Sequence, residues 1–353
     1  MDDVAARLRA ETGTRFAIAD FVTALDGLGF VAAVDDQVRA DDTRLKPSLP
    51  WLRPGAVRWL LHPLLPIVVA GFAAAAVVML VLHPGLRPSY RVLVWSNRAG
   101  LVLAVNAAIA WMLILVHEFA HLATARAAGT PARITLSTRL QFLAAQTDVS
   151  GVWAAPRRTR MTAYLAGMGI DICGAGLCLL VLALAGPHGL PGNLLAVAVT
   201  VTVLGLSGQF MVFMRTDVYF ALQDLTRCAN LYAEGSGYLR YLTGRITRRG
   251  SLPDPSQAYP AGQRRAIRLY SAVLLTGTAV CPGIEFAVTR PALITLLVRA
   301  VSEIGRTPVG SVDGAVALAI LLGFQVLWMS RWWHRHQRQV RSLTRKYLRA
   351  ERR

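Results

Sequence analysis

The chain carries little charge for its length: of 353 residues only 16% are Asp, Glu, Lys or Arg, while 54% are hydrophobic. With a mean hydropathy of +0.43, that composition speaks against an ordinary soluble domain, whose water-facing surface needs more ionisable groups. Paired cysteines are missing as well. Cys173, Cys178, Cys228 and Cys281 form no CxxC pair and lie mostly in apolar runs. This excludes a cysteine zinc knuckle and a disulfide framework and leaves them as small packing residues. The first apolar run begins only near residue 64, behind a polar section, as expected of a retained anchor rather than a cleaved signal peptide.

What the sequence does have is a series of runs of about twenty apolar residues, the length that crosses a bilayer. About six spans are expected, at 64–83, 100–127, 161–186, 194–214, 269–288 and 313–332. The net charge of +18 is then either a nucleic-acid footprint or a topology signal. With both termini cytoplasmic, the inside segments 129–160, 215–268 and 331–353 hold 5, 9 and 9 Arg or Lys, and the outside segments 84–99, 187–193 and 289–312 hold 3, 0 and 3. That asymmetry orients all the spans in one sense, so the basic charge is assigned to topology and anionic lipid, with no nucleic-acid partner. The expected location is the cell membrane, multi-pass. Trp332 and Trp333 would mark the interface before the basic tail, 333–353, in which His334 and His336 are read as solvated.

Residues 1–46, with nine acids and six bases, read as a small cytoplasmic element of two short amphipathic helices and a strand. Residues 47–63, containing "KPSLPWLRPG", read as a proline-rich linker. The expected architecture is an all-α polytopic membrane protein with a core at 64–268, two further spans at 269–332, a small membrane-associated β-hairpin and the N-terminal α/β element.

Polar residues interrupt the second span in "WMLILVHEFAHLATARAAG". His117 and His121 stand at i and i+4, about 40° apart around a helix, so both imidazoles leave one face and can share a zinc ion. Glu118, about 100° further round than His117, can reach a water at that ion without taking a coordination place, the position of a general base. A charge at the bilayer centre costs on the order of 2.5–3.5 kcal/mol, so such residues mark function. Two histidines do not complete a hydrolytic Zn2+ site. The third ligand must match their depth, in the last third of a span running toward the cytoplasm. Asp217 in "FMVFMRTDVYFALQDL", just past the apolar core of the fourth span, fits best. Asp224 and Asp171 are the alternatives, Asp171 lying closer to mid-membrane and Glu285 in the outer half of the fifth span.

A HExxH near the end of one membrane helix and an aspartate at the cytoplasmic end of a later one resemble the site-2 protease family of intramembrane zinc metalloproteases. The stretches "LVHEFAHLATARAAG", "RMTAYLAGMGIDI" and "DVYFALQDLTRCANLYAEGSGYL" are closer to a branch associated with maturing ribosomally made bacterial peptides. The similarity covers roughly residues 60–245. It implies zinc on His117, His121 and Asp217, with Glu118 as general base. The chain departs from the family at Val218, where a glycine normally follows the aspartate, and at Arg215 and Thr216, which replace an asparagine and proline environment.

The expected activity is that of a membrane-embedded zinc endopeptidase acting near the cytoplasmic face on a peptide or membrane-protein substrate. Removal of a leader from a ribosomally made peptide comes first. Cleavage of a membrane-anchored regulator such as an anti-sigma factor is the alternative. A non-catalytic scaffold, export or immunity factor is a third reading, against which the presence of Glu118 argues. Between the second and third spans, "ARITLSTRLQFLAAQTDVSGVW" alternates β-formers and reads as a hairpin whose edge can take an extended substrate. Pro282 and Gly283 read as a kink. The stretch "TGTRFAIADFVTALDGLGFVAAVD" weakly resembles the small winged-helix domains that bind leader peptides.

Overall fold

The computed structural model describes residues 47–139, 142–247, 253–284 and 290–350, and in the N-terminal section residues 7, 9–10, 18–27, 33–34 and 37–38. The chain divides into two compact units at Lys46 and Pro47. In the first, α1 (Ile18–Gly27) is followed by two-residue strands β1 (Ala33–Val34) and β2 (Gln37–Val38), paired antiparallel. The expected single strand is therefore a minimal hairpin. Half of the stretch likened to a winged helix lies outside the described residues.

The second unit is built from long helices, and sequence chemistry sets their ends. In chain order they are α2 (Leu65–Leu82), α3 (Ala99–Ala127), α4 (Arg157–Ala185), α5 (Gly189–Gln209), α6 (Asp217–Thr226), α7 (Leu231–Ile246), α8 (Ala261–Ile284), α9 (Arg290–Glu303) and α10 (Pro308–Ala350). Between α3 and α4 a hairpin forms from β3 (Arg133–Arg139) and β4 (Phe142–Asp148), in register from Arg133↔Asp148 to Arg139↔Phe142. Five helices among the described residues are long and apolar enough to cross a membrane: α2, α3, α4, α5 and the Pro308–His334 part of α10. No residue of α2 is buried by protein, and Val77 and Leu184 are 60% and 80% exposed. Apolar faces left open on this scale need lipid rather than water against them. The chain is a multi-pass membrane protein on this architecture.

The expected fifth span, 269–288, falls on the second half of α8, which begins with the polar turn containing Arg264, Arg265 and Arg268 and runs to Ile284. Glu285 lies outside the described residues, and helical backbone continues through Pro282 and Gly283. The fourth span also differs from expectation. It stops at Gln209 instead of residue 214, and a 3-10 turn, Val212–Met214, leads into α6. The segment read as a linker packs on α3. Leu52 and Val57 join Leu122, Ala125, Val152 and Ala163 in one buried cluster, and Arg126 Nε donates to the Leu52 carbonyl at 3.2 Å.

Both ends of α3, the helix carrying the HExxH, are fixed. At its C-terminus Gly129 takes the left-handed conformation, φ 78°, which ends the helix without a Cβ clash while Gly129 N donates to Arg126 O. At its N-terminus the capping position is Arg98, which provides no side-chain acceptor. Asp313 of α10 supplies it instead, accepting from Gly100 N at 2.9 Å and Leu101 N at 3.0 Å. Gly100 is required by this approach, because a Cβ there would overlap Asp313. A carboxylate on free helix N–H groups contributes about 1–2 kcal/mol. Asp313→Ala is therefore expected to lower the unfolding temperature of the detergent-solubilised protein by a few degrees, measured by scanning fluorimetry; an unchanged midpoint would mean that α10 does not hold the end of α3.

Candidate metal centre

Three side chains from two separate parts of the chain converge on one point. His117 and His121 leave the same face of α3, one turn apart, and Asp217 is the first residue of α6. Asp217 Oδ2 lies 2.9 Å from His117 Nε2 and 3.1 Å from His121 Nε2, and the two Nε2 atoms are 3.2 Å apart. Both imidazoles are buried.

The outer nitrogens decide what the inner ones can do. His121 Nδ1 lies 2.7 Å from the Ala163 carbonyl, which can only accept, so this nitrogen carries the proton. His117 Nδ1 lies 2.7 Å from Asp171 Oδ2 and donates to that carboxylate. In the neutral imidazoles both Nε2 atoms therefore present lone pairs, and they face each other and a carboxylate oxygen. Three acceptors turned on one another repel unless a proton or a cation lies between them. A tetrahedral ion bound at about 2.0–2.1 Å separates its ligand atoms by about 3.3–3.4 Å, a few tenths more than the distances seen. The donor set, the fixed tautomers and the spacing all fit a metal ion held by His117, His121 and Asp217, the one such group among the described residues.

The supporting contacts come from α4. Ala163, Gly167 and Asp171 follow at intervals of four and so form a stripe along one face. Ala163 orients His121, Asp171 orients His117, and Gly167 admits the His117 ring between them, since a Cβ at Gly167 would overlap the imidazole. Asp171 thus meets the outer nitrogen of His117 and stands outside the converging group, an arrangement that in a metal site fixes ring orientation and raises ligand basicity. Asp224, the other alternative, stands two turns further along α6 and is held by Arg160, with Nε at 3.0 Å and NH2 at 2.7 Å from its two oxygens. Those hydrogen bonds keep the Asp224 carboxyl below its ordinary pKa against the opposing effect of desolvation.

Asp217 is positioned by a turn rather than by a continuous helix. Arg215 adopts φ 58°, ψ 52° and Thr216 is extended. Gln209 joins the two sides of the turn, its carbonyl accepting from Thr216 Oγ1 at 2.5 Å and its Oε1 from Asp217 N at 3.1 Å. Glu118 is buried next to the ligands. Thr147 Oγ1 of β4 lies 2.6 Å from Glu118 Oε2 and 3.0 Å from the Glu118 carbonyl, and its single proton favours the shorter, charge-assisted contact. Glu118, His121 and Asp217 line a cavity of about 410 Å³ together with Thr135, Trp153 and Tyr164.

Motif and depth reasoning single out His117, Glu118, His121 and Asp217, and the structure brings all four together. Asp171 as an orienting group, Thr147, Gln209 and the Ala163 carbonyl are not found by that reasoning. The four-residue stripe on α4 is the signal that could have located Asp171. No protein-family model, curated protein or solved structure matches the chain.

Two predictions follow from this geometry. Metal content per purified chain, measured by inductively coupled plasma mass spectrometry, is expected to be lost in Asp217→Ala, kept in Asp224→Asn, and weakened about 10–100-fold in affinity in Asp171→Asn. Full metal retention in Asp217→Ala would remove it from the ligand set. The Arg160–Asp224 pair stabilises the fold wherever Asp224 is ionised. Because its folded pKa is depressed, that contribution is complete above about pH 4, the ordinary carboxylate range, and disappears as pH falls through the depressed value. Acid unfolding should accordingly begin at higher pH in Arg160→Gln than in the parent, as followed by intrinsic fluorescence.

Proposed function

We propose that the protein is a membrane-embedded zinc-dependent endopeptidase of the site-2 protease type, and that its substrate is a ribosomally made peptide matured by proteolysis near the cytoplasmic face. One observation carries the reading: a buried carboxylate outside the ligand set, Glu118, adjoins three converging metal-ligand atoms and opens on the same cavity as two of them. A purely structural metal site has no use for such a group.

A bound zinc ion supplies Lewis acidity, polarising the scissile carbonyl and lowering the pKa of water at the site. Glu118 takes a proton from the attacking water and delivers it to the leaving amine. Thr147 donates to Oε2 of Glu118, which orients the carboxylate and leaves Oε1 to exchange the proton. Asp171 and the Ala163 carbonyl hold the imidazoles in the tautomer that presents Nε2 inward.

The hairpin supports a peptide substrate. Its register makes Arg133↔Asp148, Thr135↔Gln146 and Ser137↔Ala144 the hydrogen-bonded pairs, so Ala145 and Thr147 turn their backbone groups to the outer edge of β4. The start of the β3 edge is already occupied, since Ser48 N donates to Ala132 O and Ile134 N donates to Ser48 Oγ. An extended peptide added along β4 presents its carbonyls beside Glu118, whereas a helix conceals them.

Glu118→Gln is expected to keep its metal and lose about 10²–10⁴-fold in cleavage of a precursor peptide, read by mass spectrometry of the products. Full activity in that variant would sink the mechanism. Thr147→Val should lower kcat with little effect on KM, because its side chain holds the base while the backbone groups that take the peptide are unchanged.

A further inference from the structure

Next to the metal-centre cavity, and sharing Ser137, Gln146, Trp153 and Phe220 with it, lies a second cavity of about 340 Å³. The two carry opposite charge. Glu118, Asp148 and Asp217 line the first, whereas the one charged residue among the described lining of the second is Arg215. Asn230 and Gln223 add side-chain amides there. Asn230 Oδ1 is already committed to Ala233 N at 3.0 Å, which leaves the Asn230 amide nitrogen to donate.

Arg215 has three unusual features. Its backbone is left-handed, φ 58°, a conformation that glycine or asparagine adopts far more readily. Its guanidinium is stacked on the Tyr232 ring, 4.1 Å from the centroid, which holds the head group in place while leaving its N–H edge available. It has no ion-pair partner among the described residues, in contrast to Arg160 and Arg268, which are paired with Asp224 and Asp254. An exposed, pre-positioned and unneutralised guanidinium in a polar cavity is a receptor for a planar anion.

We infer that the Arg215 cavity is a specificity subsite for a carboxylate of the bound peptide, a few residues from the bond placed at Glu118. This inference rests on the peptidase reading for the identity of the ligand. The carboxylate has two possible sources, an Asp or Glu side chain or the free C-terminus of the peptide.

The test separates recognition from catalysis. Purified full-length Glu118→Gln protein in detergent is titrated with fluorescent, N-acetylated alanine–leucine host peptides, in which Glu, Gln or Lys is walked along the chain. Each peptide is made with an amidated and with a free C-terminus. The expected result is about tenfold tighter binding of a peptide bearing Glu at one position, or of every free-acid form if the terminus is the ligand. In Glu118→Gln/Arg215→Gln that preference disappears, and in Glu118→Gln/Arg215→Glu it passes to Lys. A reversal of preference cannot come from a damaged fold. Equal affinity for Glu and Gln peptides and for both terminal forms, or a uniform loss in every Arg215 variant, would overturn the subsite. Cleavage of the same peptides by the parent protein is scored separately: binding preference without cleavage counts against the peptidase reading and leaves the carboxylate site standing, while cleavage without an Arg215-dependent preference does the reverse.

Discussion

The structure depends on a repulsion that it has to relieve. Two imidazole lone pairs and a carboxylate oxygen are held within 2.9–3.2 Å of one another, on residues that are largely withdrawn from water. With both imidazoles neutral that arrangement is unfavourable, because each of the three atoms is an acceptor. The Ala163 carbonyl and the Asp171 carboxylate each require a donor from the histidine they touch. A proton on one Nε2 or a cation shared by all three relieves the repulsion without breaking an outer hydrogen bond, and the cation uses every lone pair. Several other features of the unit follow from the need to bring these groups together.

The close approach of α4 to α3 is one of them. Ala163, Gly167 and Asp171 form a single stripe, and only a residue without a Cβ fits where the His117 ring crosses it. The same helix, one turn earlier, carries Arg160, which holds Asp224 of α6 through two hydrogen bonds. Asp217 and Asp224 are two turns apart on α6, so one end of that short helix meets the histidines and the other is tied to α4. The helix that orients the imidazoles thereby also places the third ligand. A break in either attachment would let Asp217 move relative to Nε2 atoms that are themselves fixed.

Much of this can be read in the sequence, for physical reasons. HExxH is legible because helix periodicity alone puts its histidines on one face. Five of the six expected spans match helices long and apolar enough to cross a membrane, because lipid selects long apolar runs, and Asp217 is legible because groups that meet at one point must lie at one depth. Legibility fails where the answer depends on how one helix is rotated against another. Asp171 and Asp217 are both aspartates within reach of His117, and what separates a ligand from an orienting group is which imidazole nitrogen each one faces. Spacing carries no record of that. Thr147 is invisible for a similar reason: its contact with Glu118 exists only once β4 is docked on α3. The end of the fourth span at Gln209 follows from the turn that delivers Asp217, since a helix continued to residue 214 would have carried the ligand past the histidines.

The turn that delivers Asp217 is held from both sides. Between Gln209 and Asp217 the chain leaves the helix, and Gln209 anchors it on both sides through its carbonyl and its side-chain oxygen. With those anchors in place Val218 continues α6 as its second residue. The strain in the turn is concentrated at Arg215, whose side chain is directed over Tyr232 and into the second cavity. A residue that could have been glycine for the backbone is instead charged. The local geometry that sets the third ligand and the local charge that polarises the adjoining groove are therefore properties of one turn, two residues apart, and any change to the first is a change to the second.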